Sequence, residues 1–437
     1  MEIHIGLDDI DSLSGGCTTH LATLLACKLV RDYGARLIEP LNLVRLNPSI
    51  PWKTRGNGAV AIRLLIPEAL VEDVVKCIKE VVLAYVSTYR GSLQDPGVAL
   101  VIGSVPRVLA RFYDLAVRDA VTMDIALSIA KNHNVRVILE GKGSIGALAA
   151  IGWILSRRDY SYELLAYRSR DHLGERYRCV DADSVTIFES RCRSTFNNVY
   201  GGKPLISPHG PDPVLYGVRG DDPIELLEAL KLIRVCEPIS AYALFITNQG
   251  TDDHVRYRLT SASARAYRCG WLVGSVVSKP RIIQGGHVVI ELLDEQGKFK
   301  AIVFRETEFS NVASRLSVGA VILVQGCFKP YENDLYLHVE KLQVLHHPTL
   351  RSFKAYRCPR CGRKMKYLGL GRGFRCTNCG LIMHLPPRYE ISSIYDARIY
   401  VPPPNRQKHL VKPIDRYVRH PLPKCEAVIE CYEPICF

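Results

Sequence analysis

Apolar and polar residues alternate over residues 2–7, which predicts a strand with one buried face. An acidic loop follows directly, with three carboxylates: Asp8, Asp9 and Asp11. After a Ser/Gly turn, a threonine is placed to cap a helix that runs to about Tyr33 and ends at Gly34. Two residues could serve as this cap, Thr18 or Thr19. The chain therefore opens with a predicted strand, acidic loop and helix.

Strand and helix patterns continue to about residue 257 and indicate an α+β region. They include strands over 59–66 and 135–139 and helices over 70–86 and 147–155. From Gly270 the pattern changes to five short strands, over 271–277, 286–293, 298–304, 320–328 and 335–345, with a short helix around 310–316. Five strands at this spacing are typical of an OB-type barrel.

Length and composition limit the class of protein. A chain of 437 residues exceeds what one core usually supports, which predicts two to four domains, and 47% apolar with 23% charged residues is a globular composition. No apolar stretch is long enough to cross a bilayer, and the N-terminus lacks a basic signal-peptide start. We therefore expect a cytoplasmic protein without membrane contact.

The net charge of +13 is unevenly placed. Residues 351–437 hold 17 Lys/Arg against 6 Asp/Glu, which leaves about +2 for the first 350 residues. A basic segment of this kind favours a polyanionic partner such as RNA or DNA. The alternative, surface charge for solubility in hot or salty surroundings, would not confine the excess to one end.

Two CxxC pairs, separated by fourteen residues, predict a zinc ribbon. Their cysteines are Cys358, Cys361, Cys376 and Cys379. Four thiolates leave no open position for a reacting water, so the zinc is expected to be structural. The other eleven cysteines are scattered singly through a large chain, which does not suggest a disulfide framework. Each CxxC pair forms a tight turn, here called a knuckle. Six cations around the two knuckles are expected to contact phosphate: Arg360, Arg363, Lys364, Lys366, Arg372 and Arg375.

Two loops of the N-terminal region have residues suited to phosphate chemistry. Carboxylates that end a strand ahead of a helix N-terminus can hold Mg²⁺ while the helix amides and Thr18 or Thr19 face phosphate oxygens. The second loop would form an anion nest from Lys53, Arg55, Gly56 and Asn57. Each loop also has a plainer interpretation, aspartates that only punctuate a turn and a solvated hairpin.

A third glycine-rich segment, Gly141–Gly146, matches the dinucleotide-binding fingerprint GxGxxG after a strand. It does not lie in the first strand–helix–strand unit, and Asp159 and Glu163 follow at the right distance only within a polar stretch. A turn that packs a helix closely on its neighbours is the preferred interpretation. A nucleotide-dependent oxidoreductase stays open as a rival.

Several long motifs occur in the same order as in archaeal tRNA(Ile) 2-agmatinylcytidine synthetases, and the chain resembles that family. The motifs are GLDDIDS at 6–12 with CTT at 17–19, RLNPSIPWKTRGNG at 45–58, GSIGALAAI at 143–151, YELLAYR at 162–168, PVLYGVRG at 213–220 and TNQGTD at 247–252. The resemblance continues through the barrel and ribbon and spans nearly the whole chain. In that family ATP phosphorylates the C2 oxygen of a tRNA wobble cytidine, the amine of agmatine displaces it, and ATP is also cleaved to AMP and pyrophosphate.

The resemblance implies a multidomain α+β protein. Its expected parts are a kinase-like α/β catalytic domain over 1–134, a ferredoxin-like domain over 135–257, an OB-fold over 268–346, a zinc ribbon over 354–385 and a basic, Pro-containing tail over 386–437. The expected ligands are ATP, Mg²⁺, structural zinc, agmatine and the anticodon stem-loop and acceptor end of a tRNA, with no DNA. A non-catalytic RNA-binding protein built on the barrel and ribbon is the alternative.

By position, the resemblance assigns metal and phosphate binding to Asp8, Asp9 and Asp11, and self-phosphorylation to Thr18. ATP would contact Gly15, Gly16, Thr19, Lys53, Arg55, Gly56 and Asn57. Agmatine is a dication, so a carboxylate must meet its guanidinium, and the candidates are Asp221, Asp222 and Asp252.

This chain departs from the family pattern at three places. Ile10 replaces a threonine, Gly16 replaces a methionine, and Asp212 replaces the cysteine of a Cys-Pro pair. Ile10 removes a hydroxyl and with it any phosphate contact made there, and Asp212 is expected to alter the agmatine pocket.

Overall fold

The structure is a computed structural model that describes the chain except residues 54–55, 92–93, 174, 332–333, 349, 393–397, 420–425 and 433–437. In the first 257 residues the strands are β1 (Glu2–Asp8), β2 (Arg36–Leu37), β3 (Leu41–Arg45), β4 (Gly58–Leu65), β5 (Gly97–Ile102), β6 (Arg136–Leu139), β7 (Ser161–Arg168), β8 (Val199–Tyr200), β9 (Lys203–Pro204), β10 (Val214–Gly220) and β11 (Ile239–Thr247). The helices are α1 (Thr18–Tyr33), α2 (Val71–Thr88), α3 (Arg107–Ala116), α4 (Met123–Asn132), α5 (Ser144–Ser156), α6 (Ala182–Arg191), α7 (Pro223–Leu227) and α8 (Ala229–Leu232).

One mixed sheet runs through this whole region, in the order β10-β7-β11-β3-β4-β1-β5-β6, with β2 beside β4. The parallel pairing of β11 with β3 joins strands from both sides of residue 134, whereas the neighbouring pairs are antiparallel. The two N-terminal parts expected from the sequence therefore share a continuous sheet, and the site between them is built on a rigid element.

Helices cover both faces of this sheet. Ile3, Ile5 and Leu7 of β1 belong to the core beneath α1 and α2, as their alternation predicted. Gly6 points to the other face, where α5 lies so close that an added Cβ would come within 2.1 Å of the Ala147 carbonyl oxygen. Both faces of β1 are therefore buried, which the alternation alone did not indicate.

The next region is the predicted OB-fold. Its strands are β12 (Cys269–Val276), β13 (Arg281–Ile282), β14 (Val288–Leu293), β15 (Lys298–Val303), β16 (Val321–Tyr331) and β17 (Asp334–His346), and its helix is α9 (Ser310–Ser314). Strand β12 pairs with both β14 and β16, so the sheet closes on itself and loses its open edges. The five long strands and the short helix agree with the sequence prediction.

The ribbon and the C-terminal segment complete the chain. Their strands are β18 (Leu350–Lys354), β19 (Met365–Tyr367), β20 (Phe374–Cys376), β21 (Ile382–Met383), β22 (Arg388–Ser392), β23 (Ile399–Tyr400) and β24 (Ile429–Cys431). Strand β23 pairs with β17 of the barrel, and β24 pairs with β11 of the large sheet. Between them the chain crosses the N-terminal region, with Arg416 fully buried.

Six of the eleven scattered cysteines lie in pairs, which corrects the expectation from the sequence. Disulfides join Cys27 to Cys431, Cys179 to Cys236 and Cys269 to Cys327, with Cα–Cα distances of 6.6, 5.5 and 3.9 Å. The sequence separations of 404, 57 and 58 residues gave no local signal of the pairing. The first bond fixes β24 to α1. Among the described residues, no helix has the length and apolarity to span a membrane.

Candidate active site

The acidic loop lies where the sequence predicted it, at the end of β1. Asp9 has a left-handed backbone with φ of 57°, which turns the chain out of the strand. Asp11 Oδ1 accepts hydrogen bonds from the backbone N–H of Thr18 at 2.7 Å and from its hydroxyl at 3.0 Å. The N-cap of α1 is Cys17, whose sulfur accepts a hydrogen bond from the His20 backbone N–H, and neither of the two predicted threonines.

Crowding shapes the electrostatics of this loop. Burial, and then the neighbouring Asp9, raise the pKa of Asp8 to about 8, and burial together with Asp11 raises the pKa of Asp9 to about 6. Carboxylates this close resist full ionisation without a cation. A divalent ion or cationic group would relieve that repulsion, and carboxylate oxygens are the ligands that Mg²⁺ prefers. The ligand oxygens of the three aspartates do not all lie within 4.8 Å of one another, so they do not form a closed ligand cluster in this structure.

The GxGxxG segment packs the N-terminus of α5 onto this loop. A Cβ at Gly143 would lie 2.3 Å from the Asp8 carbonyl oxygen, and one at Gly146 would lie 1.8 Å from Asp8 Oδ2. The glycines are therefore required for close packing, as the sequence analysis preferred. The same contact directs the positive end of a 13-residue helix at the aspartates, which the sequence analysis did not anticipate.

A cavity of about 390 Å³, here called the acidic cavity, opens over this loop. Its polar lining comprises Asp8, Asp9, Asp11, Thr18, Lys53, Asn57, Asp119, Thr122, Lys142 and the N-terminus of α5. Its apolar wall includes Leu46, Ile50, Trp52, Val121, Met123 and Ile145. Carboxylates, lysines, helix N-termini and an apolar wall in one hollow suit a nucleotide with its metal.

A second hollow of about 330 Å³, the adjoining cavity, shares Asp11, Thr18 and Gly58 with the first. Its charged lining comprises Asp11, Arg45, Glu163, Asp212 and Arg219, and His409 and Thr19 also face it. Arg45 is enclosed, and its Nε has no hydrogen-bond partner among the described residues. A buried guanidinium with an unused donor indicates an anionic ligand.

The structure distributes the predicted ATP residues over both hollows. Lys53 and Asn57 line the acidic cavity, whereas Gly56 and Thr19 line the adjoining one. Gly15 and Gly16 form the turn before α1 and line neither. Arg55 lies outside the described residues.

The departures from the family pattern have structural counterparts. Ile10 is fully buried in the core beneath α1 and α2. Gly16 has no room for a side chain, since a Cβ there would lie 2.9 Å from Tyr89 Cβ. Asp212 lies on the adjoining cavity and has Arg178 at 3.5 Å.

The three carboxylates suggested for agmatine do not meet at either cavity. Asp221 is held by Arg416 at 2.7 Å, and Asp252 by Lys341 and Tyr417. Asp222 caps α7 through the backbone N–H of Ile224. None of the three lines either cavity, although Asp221 Oδ2 is buried without a hydrogen-bond partner among the described residues, so their assignment to agmatine stays a prediction.

Four residues of the adjoining cavity were not among the site residues predicted from sequence: Arg45, Glu163, Arg219 and His409. The first three stand inside motifs that had been quoted for the resemblance, so their positions were a usable signal. His409 comes from the C-terminal segment, more than 150 residues from its cavity partners, and no local pattern marks it.

The ribbon has the geometry of a zinc site. The Cys358–Cys379 and Cys361–Cys376 sulfur atoms are 3.4 Å apart, and all four sulfurs lie within 4.8 Å of one another. Tetrahedral zinc with bonds of about 2.3 Å places its sulfurs about 3.8 Å apart, so the set fits. Gly362 and Gly380 both have φ of 71°, as the turn after each knuckle requires.

All six cations assigned to the ribbon are exposed, and none forms an ion pair within the described part of the chain. Lys366 and Arg375 even lie directly opposite each other on β19 and β20. Like charges in that position are unfavourable for the sheet. An anion bound between the two side chains would relieve this repulsion.

Asp9→Asn is expected to make the metal-free protein more stable at pH 8. The raised pKa values mean that the folded state holds protons the unfolded chain releases near pH 4, so stability falls as pH rises from about 4 to about 8. In Asp9→Asn, the side-chain amide replaces one of the repelling carboxylates, so stability should decrease less as the pH rises. Thermal unfolding at pH 5 and pH 8 without added Mg²⁺ measures it, and about 1 kcal/mol corresponds to a Tm change of about 2–4 °C.

The exposed Glu80→Gln on α2 serves as the matched control, because it removes a carboxylate outside the cluster. An Asp9→Asn protein with the pH dependence of the wild type would show that the aspartates do not repel one another in the folded state.

An OB-fold, a zinc ribbon and an α+β body with paired cavities define a multidomain, nucleotide-using enzyme that binds nucleic acid. Four family models match in chain order: the TiaS TCKD domain at residues 4–66, the TiaS FLD domain at 141–254, the OB-fold nucleic acid binding domain at 271–345 and the TiaS C-terminal zinc ribbon domain at 356–391. The chain belongs to the tRNA(Ile) 2-agmatinylcytidine synthetase (TiaS) family, which confirms the resemblance seen in the sequence.

Relatives match over nearly their whole length. TiaS of Ignisphaera aggregans is 40% identical over 95% of this chain and 93% of its own, and TiaS of Pyrococcus horikoshii is 38% identical over 95% and 97%. Among solved structures, a complex of TiaS with tRNA and ATP superposes with a TM-score of 0.81 at 32% identity, covering 95% of this chain and 97% of that one. A complex of TiaS with tRNA, AMPCPP and agmatine gives 0.78 at 29% identity, covering 97% and 99%.

Proposed function

We propose that this protein uses ATP to attach agmatine to C2 of the wobble cytidine of a minor isoleucine tRNA, in the cytoplasm, so that the tRNA reads AUA codons. The observation that carries the proposal is the pair of cavities that share Asp11 and Thr18. One hollow suits a nucleotide and its metal, and the other has carboxylates and guanidinium groups. A shared wall lets a phosphoryl group formed in one be displaced by a ligand in the other.

The acidic cavity is the proposed ATP site. Asp8, Asp9 and Asp11 would hold Mg²⁺, which when bound draws negative charge from the phosphate oxygens. Lys53 and the N-terminus of α5 face the same space and stabilise the charge of the triphosphate. Thr18 is fixed by Asp11 at the shared wall, where a phosphoryl group transferred to its hydroxyl would stand between the two hollows.

The adjoining cavity is the proposed site of agmatine. Its carboxylates are Glu163 on β7 and Asp212 in the segment just before the neighbouring strand β10, and we propose them for the guanidinium because they line the cavity. Arg45 and Arg219 lie beside them and match the phosphate of an activated cytidine. The phosphate is the better leaving group than a carbonyl oxygen, so activation must precede attack by the amine.

The barrel and the ribbon are the proposed RNA grip. An OB-fold offers a groove for single-stranded RNA, and an unpaired wobble base must leave its stack to reach a buried cavity. The six exposed ribbon cations would neutralise the phosphates of the tRNA.

Mass spectrometry of nucleosides from tRNA incubated with the protein, ATP, Mg²⁺ and agmatine tests the proposal. We expect an agmatine adduct on a cytidine that forms only with ATP, together with AMP release. Tight tRNA binding without ATP turnover would instead favour the non-catalytic RNA-binding alternative.

Replacing Lys366 and Arg375 by glutamine is expected to weaken tRNA binding and its salt dependence. Each lost phosphate contact lowers the slope of log K against log salt by about 0.7–0.9, so the double variant loses about 1.4–1.8. The ribbon itself becomes more stable, because the cross-strand repulsion is removed. Binding titrations between 50 and 200 mM salt, a range over which such contacts matter, measure the slope.

The matched control removes two exposed cations from α2, Lys76→Gln with Lys79→Gln, and changes net charge equally. If both double variants alter the slope alike, the effect is one of total charge and the ribbon is not the grip.

A further inference from the structure

The C-terminal segment places His409 in the adjoining cavity. Its ring is open to that space. Gly56 stands opposite, and a Cβ there would come within 3.1 Å of His409 Nε2, so the glycine leaves room for the ring. The backbone N–H of Gly250 donates to the His409 carbonyl oxygen at 2.8 Å. That bond positions the segment and does not depend on the side chain.

A chain of hydrogen bonds fixes which ring nitrogen carries the proton. The Glu163 carboxylate accepts from Arg219 Nε at 2.9 Å and from the side-chain amide of Gln249. A carboxylate only accepts here, so the NH₂ of Gln249 faces Glu163 and its Oε1 faces His409. His409 Nδ1, at 2.9 Å from that oxygen, must therefore donate.

The neutral ring thus has its proton on Nδ1 and its lone pair on Nε2. Within the described chain, Nε2 has no hydrogen-bond partner. The lone pair stands at the edge of a cavity, which is the arrangement a proton acceptor needs.

The charges around the ring keep that lone pair available. Three cations hold the pKa of His409 well below its usual value, Arg45 foremost and then Arg219 and Lys53. On its own segment, Lys408 is paired with Glu340 at 2.6 Å. Phosphate groups that enter the cavity would offset the three cations, so the ring becomes a stronger base once an activated substrate is bound.

We propose that His409 is the general base that accepts the proton of the agmatine amine as the amine attacks the activated cytidine. The inference rests on the proposed function. The ammonium of agmatine first loses one proton to solvent, and the neutral amine attacks. Its nitrogen lone pair forms the bond to C2, the C2–O bond breaks, and the oxygen leaves with the phosphate. The nitrogen becomes positively charged during attack, and its proton passes to Nε2. The Gln249–Glu163 chain supports the resulting imidazolium.

The test separates the two chemical steps in His409→Ala and His409→Gln. Phosphorylation is followed as label from γ-labelled ATP on tRNA without agmatine, and addition as agmatine adduct by mass spectrometry. We expect addition to fall by about 10²–10⁴-fold, as for loss of a general base, while phosphorylation continues. Added imidazole should restore addition in His409→Ala, in proportion to its unprotonated concentration, but not in His409→Gln, where the space stays filled.

Arg406→Ala, an exposed change on the same segment, is the control and should match the wild type in both steps. Addition at the wild-type rate in both His409 variants would overturn the proposal. Equal loss of phosphorylation and addition would also overturn it, since His409 would then serve phosphate binding or folding. Wild-type protein that never adds agmatine would overturn the proposed function itself.

Discussion

Asp11→Asn is expected to reduce ATP-dependent AMP release and agmatine addition by about 10²–10³-fold, the usual effect of removing one preorganised charged group from a reacting site. Asp11 lies on the wall between the two cavities and holds Thr18 through its backbone N–H and its hydroxyl. Asparagine keeps an oxygen for those bonds and removes only the negative charge. The loss should therefore appear in turnover without a fall in Tm.

The control for this change is Asp32→Asn in the last turn of α1, the helix that begins at Thr18. Asp32 pairs with Lys28 at 2.7 Å and lies about 21 Å from Thr18 along the helix axis. Steady-state kinetics of both variants, with thermal unfolding alongside, checks the expectation. If Asp11→Asn released AMP at the wild-type rate, the acidic cavity would not be the site of ATP cleavage.

The parts of this molecule that sequence predicted well depend on short-range rules. The zinc ligands are fixed by two CxxC pairs and the glycines after them, and the acidic loop is fixed by a strand end and a helix start. The close packing of α5 followed from Gly143 and Gly146. In each case the residues that were recognised form a short local motif.

The parts that sequence missed depend on partners far apart in the chain. In the sequence nothing indicates that Asp221 has a partner. In the structure it accepts a hydrogen bond from Arg416, which lies 195 residues later in the chain. In the sequence, nothing distinguishes His409 from the other polar residues of the basic tail. The proposed role follows from its hydrogen bond to Gln249, which fixes the tautomer of the ring. Part of the positive charge of the basic tail is likewise used inside the protein. Lys408, Lys412 and Arg416 form ion pairs with carboxylates of earlier domains, namely Glu340, Asp159 and Asp221.

Among these ion pairs, loss of the one formed by the buried Arg416 has the largest expected effect on stability. Arg416→Met should destabilise the N-terminal region by about 3–5 kcal/mol, the usual range for breaking a buried ion pair. Its guanidinium is fully buried and donates to Asp221, to Asp159 at 3.2 Å and to the carbonyl oxygens of Tyr160 and Gly250. Methionine fills much of the space but leaves Asp221, only 3% exposed, without its cation.

Burial already raises the pKa of Asp221 against the opposing effect of Arg416, so loss of the arginine should raise it further. The destabilisation is then greatest at high pH and diminishes as pH falls and the carboxyl takes up a proton. Adding Asp221→Asn to Arg416→Met should recover part of the loss, because the uncompensated charge disappears. Urea unfolding of the two single variants and the double variant gives the coupling energy between Arg416 and Asp221, and the exposed Arg406→Met serves as the control. If the changes in unfolding free energy were strictly additive, the two side chains would not interact.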